Sequence, residues 1–376
     1  MTSKAYVLRQ RPLPAPNPVS TQTASDGEPG SGSDVAAGLL GRDLCSMRDL
    51  TPEEVHCILD TAQQIKAQPQ NYRHALDSRQ LVMFFEKESL RTRLTFETGI
   101  NTLGGSAIFV DQTSSRLGQR ESLSDVARNL ERWMDAIVLR TYAHETITGM
   151  AQFARIPVIN ALSDIEHPCQ ALADVLTLQE RFGNLRGLRL AYLGDGNNVA
   201  HSLMLAAAHL GMHCVLATPP QYKPAPEYLA AAQAIAATTG GTVEWTRDPQ
   251  QAAAGADAIY TDVWTSMGRE HETEQRNQVC RPYQVNRQMM ALAAPHAVFM
   301  HCLPAHREDE VTAEVLDGPQ SVVFDQAENR MHAQKAILLL LLGGTPETGS
   351  GKVHESYTPA DAKGNPRQRS RLSSFS

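Results

Sequence analysis

Apolar positions along this 376-residue chain alternate between two patterns. Short runs of three to five residues, Leu81–Phe85, Ala107–Val110, Ala136–Leu139, Arg189–Leu193, Cys214–Ala217, Ala258–Tyr260, Val298–His301 and Val322–Phe324, read as buried strands. Between them apolar residues recur at helical spacing. Val55, Ile58, Leu59, Ala62 and Ile65 make one face behind the capping-box signal Thr51-Pro52-Glu53-Glu54, and Leu94, Phe96, Ile100 and Leu103 make another that stops at Gly104-Gly105. A helical run follows His167-Pro168-Cys169-Gln170, and a last helix is expected from about Ala327. Alternating strands and helices predict an α/β fold of parallel sheets with crossover helices, and the length suits two domains. The stretch Phe182–Gly187 is the expected hinge, dividing a domain at 44–184 from one at 185–325. Residues 1–43 and 344–376 are rich in Pro, Ser, Thr and Gly without sustained apolar period and are expected to be disordered.

Charge and cysteine usage narrow the function classes. The formal net charge is −7, and no basic stripe interleaved with aromatics appears, which argues against a nucleic-acid surface. The longest apolar run, Ala336–Leu342, falls well short of the roughly 20 residues that span a bilayer, so no membrane partner is expected. Six cysteines lie far apart with no CxxC pair, which fits reduced thiols and implies neither a disulfide framework nor a metal site. Lys4, Arg9 and Arg11 suggest a transit peptide, but Pro12, Pro14, Pro16 and Pro18 oppose its helix, so a cytoplasmic chain is expected.

Four segments carry chemistry. In Glu86-Lys87-Glu88-Ser89-Leu90-Arg91-Thr92-Arg93 a strand gives way to a helix whose first amides, with Ser89, Thr92 and the Arg91 guanidinium, can hold a phosphate. The alternative is a solvated basic helix start paired with Glu86, Glu88 and Glu97. His167 and Gln170 precede a helix and can donate to a carbonyl oxygen and accept from an NH2 group, unless His-Pro is only a turn. Asp262 to Gly268 follows a buried strand, where loops of parallel sheets carry sites. His301-Cys302-Leu303-Pro304 ends another strand; here a covalent role for Cys302 stands beside that of a buried free thiol.

Taken in order, Ser89–Arg93, His167–Gln170, Asp262 with Ser266-Met267-Gly268, and His301–Pro304 resemble the aspartate/ornithine carbamoyltransferase family, over about Leu44 to Gly343. Cys302 and the Ser266-Met267-Gly268 loop look like its ornithine branch. The resemblance implies transfer of the carbamoyl group of carbamoyl phosphate to the δ-amine of L-ornithine, giving citrulline and phosphate, in arginine biosynthesis. It implies no cofactor, a homotrimer or a multiple of trimers, and a terminal helix at 326–343 returning to the first, carbamoyl-phosphate-binding domain. Ser89, the Leu90 amide, Arg91 and Thr92 would hold phosphate. Arg140, His167 and Arg330 would surround the carbonyl, Gln170 the carbamoyl amine, with Cys302 and Leu303 beside them. Asn198, Asp262, Ser266 and Met267 would hold ornithine in the second domain. Leu90 stands where threonine is common, and Arg116 where many members have Gln or His reaching a neighbouring subunit's site. A sibling transferase acting on putrescine, aspartate or a modified ornithine is one alternative, and a non-catalytic carbamoyl-phosphate sensor another. A dinucleotide enzyme is disfavoured, since Gly194-Asp195-Gly196-Asn197-Asn198 lacks the third glycine of the phosphate-binding pattern.

Overall fold

The structure is a computed structural model and describes residues 32–112, 116–265 and 270–347. The first half carries α1 (Gly32–Leu39), α2 (Pro52–Ala67), β1 (Gln80–Phe85), α3 (Leu90–Thr102), β2 (Ser106–Asp111), α4 (Leu123–Leu130), β3 (Ala136–Arg140), α5 (His144–Phe153), β4 (Val158–Leu162) and α6 (Pro168–Phe182). The second carries β5 (Arg189–Leu193), α7 (Asn198–His209), β6 (His213–Ala217), α8 (Pro226–Thr239), β7 (Thr242–Thr246), α9 (Pro249–Ala253), β8 (Ala258–Thr261), α10 (Thr273–Cys280), α11 (Arg287–Met290), β9 (Val298–His301) and α12 (Ala313–Leu316). The last element is α13 (Val323–Leu342).

Two parallel sheets result, ordered β2-β1-β3-β4 and β7-β6-β5-β8-β9. In the first, the chain goes from β1 outward to β2 and then crosses to β3 on the other side. In the second, it runs from β5 out through β6 and β7 before returning to β8. The strand order therefore reverses between β1 and β3 and between β5 and β8, and in open α/β sheets ligands bind at such points, outside the carboxyl ends of the strands. Register completes the placement: Phe85 pairs with Arg140, Leu193 with Thr261, and Thr261 with His301. The segments after these residues are thereby brought to common edges.

Helix α13 packs on α6, α2 and α3, so the last described helix does return to the first sheet's layer. The apolar run Ala336–Leu342 is buried there, and among the described residues no helix is long and apolar enough to cross a membrane. The start of α2 has the expected capping box: Thr51 Oγ1 accepts from the Glu54 N–H at 3.2 Å, and Glu54 Oε2 accepts from the Thr51 N–H at 2.9 Å. Its anticipated apolar face is buried throughout.

Several expectations fail, each for a local reason. Val322–Phe324 is no strand. Ser321 makes a single bridge to Phe299, the Val322 N–H donates to the Phe299 carbonyl at 3.0 Å, and the chain then turns into α13, which begins before the expected Ala327 and leaves Phe324 exposed. Strands β4 and β7 were not anticipated. Asn160 interrupts the apolar pattern of β4, yet its carboxamide donates to the Cys45 carbonyl at 2.8 Å, while β7, Thr-Val-Glu-Trp-Thr, is an edge strand with an alternating face. Residues 32–43, assigned above to a disordered extension, contain α1 and an ordered turn. The Gly41 N–H donates to the Leu341 carbonyl at 2.9 Å, and Asp43 accepts from the Val158 N–H at 2.8 Å. On α3, Leu94 faces out while Phe96, Ile100 and Leu103 are buried.

Because Leu338 is wholly buried where α13 meets the first layer, Leu338→Ala is expected to destabilise the fold by about 2–5 kcal/mol. A lowered urea denaturation midpoint checks this; an unchanged midpoint would show that α13 contributes little to the core.

Candidate active site

A cavity of about 580 Å³ opens where the two sheets present their carboxyl ends. It is lined from the first half by Ser89, Leu90, Arg91, Thr92, Arg140, His167 and Gln170, from the second by Asn198, Asp262, Cys302 and Leu303, and from α13 by Arg330. Every anticipated site residue within the described segments therefore meets in one place. Ser266 and Met267 lie outside the described residues. A larger cavity of about 750 Å³, between the start of α2 and the ends of α7 and α8, contains none of these groups.

One end of the cavity is strongly cationic. Ser89 caps α3, its hydroxyl accepting from the Thr92 N–H at 3.3 Å, which leaves the first helix turn and its dipole directed at the cavity edge. Arg91 makes no ion pair with a carboxylate among the described residues, whereas Arg93 pairs with Glu97 at 3.0 Å and lies over the Phe109 ring. Glu86 is turned inward and accepts from the Tyr142 N–H at 2.9 Å. The paired basic helix start thus describes Arg93 but not Arg91. Arg330 reaches back from α13: one guanidinium nitrogen donates to Thr92 Oγ1 at 2.7 Å and another to Gln170 Oε1. Burial, then the neighbouring Arg330 and Arg91, push the Arg140 guanidinium down to about 9. Burial likewise lowers Arg330, with Arg91 adding to the effect. Guanidiniums crowded around one space, each disfavouring the charge of the others, indicate a site shaped for an anion.

His167 begins α6, with its backbone N–H donating to Ser202 Oγ at 2.9 Å. Its Nδ1 is buried without a hydrogen-bond partner among the described residues. Burial, followed by Arg330, Arg140 and Lys87, holds its pKa well below 6.5. The ring is neutral, a hydrogen-bonding group rather than an acid.

The other end is anionic. Asp262 Oδ1 accepts from Cys302 Sγ at 3.0 Å and from the Val263 N–H at 2.8 Å, and Oδ2 accepts from Asn197 Nδ2 at 2.7 Å. Burial and the adjacent Asp262 push the Cys302 thiol well above its ordinary range, so it is protonated and donating. His301 cannot deprotonate it. Its Nδ1 accepts from the Leu303 N–H at 2.8 Å and its Nε2 donates to Glu310 at 3.1 Å. The same commitments remove His301 from the group Asp262, His301 and Cys302, whose ligand-type atoms lie within 4.8 Å of one another, because neither ring nitrogen has a lone pair to give a metal.

Residues 42–180 match the family model described as aspartate/ornithine carbamoyltransferase, carbamoyl-P binding domain, and residues 186–341 match its Asp/Orn binding domain. The chain belongs to the aspartate/ornithine carbamoyltransferase family. The ornithine carbamoyltransferase of Symbiobacterium thermophilum is 52% identical over 306 residues, 81% of this chain and 99% of that protein. That of Pyrococcus abyssi is 48% identical over 312 residues, 82% of this chain and 98% of its own. The solved structure of ornithine carbamoyltransferase from Pyrococcus furiosus aligns with a TM-score of 0.79 at 48% identity, covering 82% of this chain and 99% of that one.

In this carbamoyltransferase, sequence reasoning missed residues that hold others in place. Asn197, one residue before the anticipated Asn198, caps α7 and donates to Asp262. Asn198 itself donates to the Ser163 carbonyl at 2.7 Å. Arg276, wholly buried, binds Asp195 at 2.8 Å, Glu272 at 2.7 Å and the Trp264 carbonyl at 3.0 Å, and so joins both flanks of the Ser266–Gly268 segment to the loop after β5. Its helix, Thr-Glu-Gln-Arg-Asn-Gln-Val-Cys, is polar nearly throughout, so the sequence carried no sign of burial. The glycines after β5 serve packing: a Cβ on Gly194 would stand 3.3 Å from the Trp264 ring, and one on Gly196 would stand 2.4 Å from the Pro224 nitrogen. Arg116 lies over the Tyr142 ring, 4.4 Å from its centre, and Lys87 lies over the same ring at 4.5 Å.

The His167 shift has a signed consequence. Below 6.5, its ordinary pKa, the unfolded chain takes up a proton that the folded cavity refuses, so this group costs stability as pH falls from 6.5 toward the lowered folded value. In denaturation series from about pH 8 to about pH 5, the midpoint of His167→Gln relative to wild type is expected to rise on the acid side; a pH-independent difference would contradict a neutral buried ring.

Proposed function

We infer that this chain is an ornithine carbamoyltransferase: the uncharged δ-amine of L-ornithine attacks the carbonyl carbon of carbamoyl phosphate, and phosphate leaves to give L-citrulline. The observation that carries the reading is the polarity of the cavity, with Arg91, Arg140, Arg330 and a helix start at one end and the Asp262 carboxylate at the other. The first end suits a dianionic leaving group, the second an ammonium. Negative charge grows on the carbonyl oxygen and the leaving phosphate as the amine attacks, and donors fixed there beforehand lower the barrier without reorganising. In this assignment Ser89, the Leu90 amide, Arg91 and Thr92 hold phosphate. Arg140, His167 and Arg330 serve the carbonyl oxygen, and Gln170 with Leu303 serves the carbamoyl amine. Asp262, Asn198, Ser266 and Met267 hold the amino-acid head. Cys302 borders the attacking nitrogen as a neutral thiol, which supports direct attack over a carbamoyl-thiol intermediate. The domain division 44–184 with 326–343, and 185–325, follows the same reading, as do a homotrimer and a cytoplasmic location.

Asp262 also discriminates among acceptors. Aspartate would bring a further carboxylate toward it, and putrescine would leave groups meant for an α-carboxylate unmatched in a closed site. In a panel of acceptor amines with carbamoyl phosphate, scored by ureido product, ornithine is expected to exceed both by a wide margin; equal turnover of putrescine rejects the assignment.

Two substitutions separate the roles. Arg140→Ala should lower kcat/KM by about 100–1000-fold, the usual effect of losing one preorganised donor, in a protein that remains folded. Cys302→Ser should retain measurable activity, with KM for ornithine altered more than KM for carbamoyl phosphate. A carbamoyl adduct on wild-type Cys302, detected by intact-protein mass spectrometry without ornithine, would establish the covalent route instead.

A further inference from the structure

Beneath the cavity floor runs a hydrogen-bonded chain of side chains whose polarity is set at both ends. At one end Arg330, which can only donate, meets Gln170 Oε1. The Nε2 of Gln170 is thereby turned to Asp174 Oδ1, at 2.7 Å. At the other end the backbone N–H of His301 donates to Gln326 Oε1 at 3.0 Å, and Gln326 Nε2 is turned to the same Asp174 oxygen, also at 2.7 Å. That oxygen must accept twice. Asp174 lies four residues after Gln170 on α6 and is wholly buried, and it is not among the residues lining the cavity.

We propose that Asp174 is a positioning residue that fixes the carboxamide of Gln170 with its oxygen toward Arg330 and the cavity, while holding the His301–Cys302 strand end to the same atom through Gln326. The proposal rests on the carbamoyl-phosphate reading given above. A carbamoyl NH2 donates and does not accept, because its lone pair is delocalised, so only Oε1 of Gln170 can bind it. Without an acceptor at Asp174 the Gln170 carboxamide has two poor choices. Kept in place, it buries Nε2 unpaired; flipped, it sets an NH2 against the Arg330 guanidinium. Burial raises the Asp174 carboxyl to about 7, against the pull of its bonds from Gln170, Gln326 and Tyr260. An acid protonated on its other oxygen still accepts through Oδ1, so the acceptor persists on either side of that value.

The test is calorimetric binding of carbamoyl phosphate alone to the full chain, with steady-state kinetics alongside. Asp174→Asn keeps an acceptor oxygen and should bind within ~3-fold of wild type, whereas Asp174→Leu should bind at least ~10-fold more weakly. In a Gln170→Leu background the Asp174→Leu change should add less than ~3-fold, because its effect passes through Gln170. Should Asp174→Leu fail to fold by circular dichroism, Asp174→Ala carries the same expectations. Wild-type binding by the Leu or Ala variant, full additivity in the double variant, or equal damage from Asn and Leu would each overturn the proposal. Failure of the wild-type chain to bind carbamoyl phosphate would overturn the site reading and this proposal together. Binding without turnover of ornithine would reject the acceptor assignment and leave the role of Asp174 standing.

Discussion

Arg330 is the side chain on which the arrangement turns. It arises on α13, near the end of the chain, and donates to Thr92 on α3 and Gln170 on α6, two helices of the first layer. A guanidinium this deeply buried is costly unless donors are used, and those two bonds, one from each terminal nitrogen, can form only if α13 lies across both helices. The apolar side of α13, Ala333 and Ala336 through Leu342, makes that position favourable by burial. Hydrophobic packing brings the helix back, and Arg330 then sets where along α3 and α6 it settles.

The cationic end of the cavity follows from that placement. Arg140 stands beside Phe85 in the sheet register, so the β1–α3 loop and the end of β3 share an edge. Arg330 closes it from α13. Burial, reinforced by Arg330 and Arg91, lowers the pKa of Arg140, and burial, reinforced by Arg330, Arg140 and Lys87, keeps His167 neutral. A neutral His167 can hydrogen-bond without contributing further positive charge to a space that arginine already makes cationic.

The opposite end depends on a different pairing. Thr261 and His301 are register partners on β8 and β9, so Asp262 and Cys302 come within 3.0 Å. Burial, reinforced by the carboxylate, keeps the thiol protonated, and His301 is committed to Leu303 and Glu310. The residues that most resemble a nucleophile and its base in sequence are thus, by hydrogen bonding, a polar wall. Asp174 and Gln326 connect this wall to Gln170, so the two ends of the cavity share one buried carboxylate oxygen.

The primary sequence by itself determined the α/β class, seven strands within a residue or so of their observed bounds, the caps of α2 and the motifs that line the cavity, because local periodicity and short polar motifs encode these directly. It misread Val322–Phe324, where three apolar residues resemble a strand but only one bridge is available beside β9 before the chain enters α13. It passed over β4, whose Asn160 donates to a carbonyl 115 residues away in sequence. Tertiary structure alone decided which polar residues line the cavity and which stand behind it. Arg276, Asn197, Asp174 and Gln326 could not be singled out locally, since each has a deciding partner on another element, Asp195, Asp262, Gln326 and Asp174 respectively, and their burial is set by how the helices and sheets pack. Whether Cys302 is a thiolate or a thiol was likewise open in the sequence, for the burial that raises its pKa and the adjacent carboxylate that adds to the effect both come from tertiary packing.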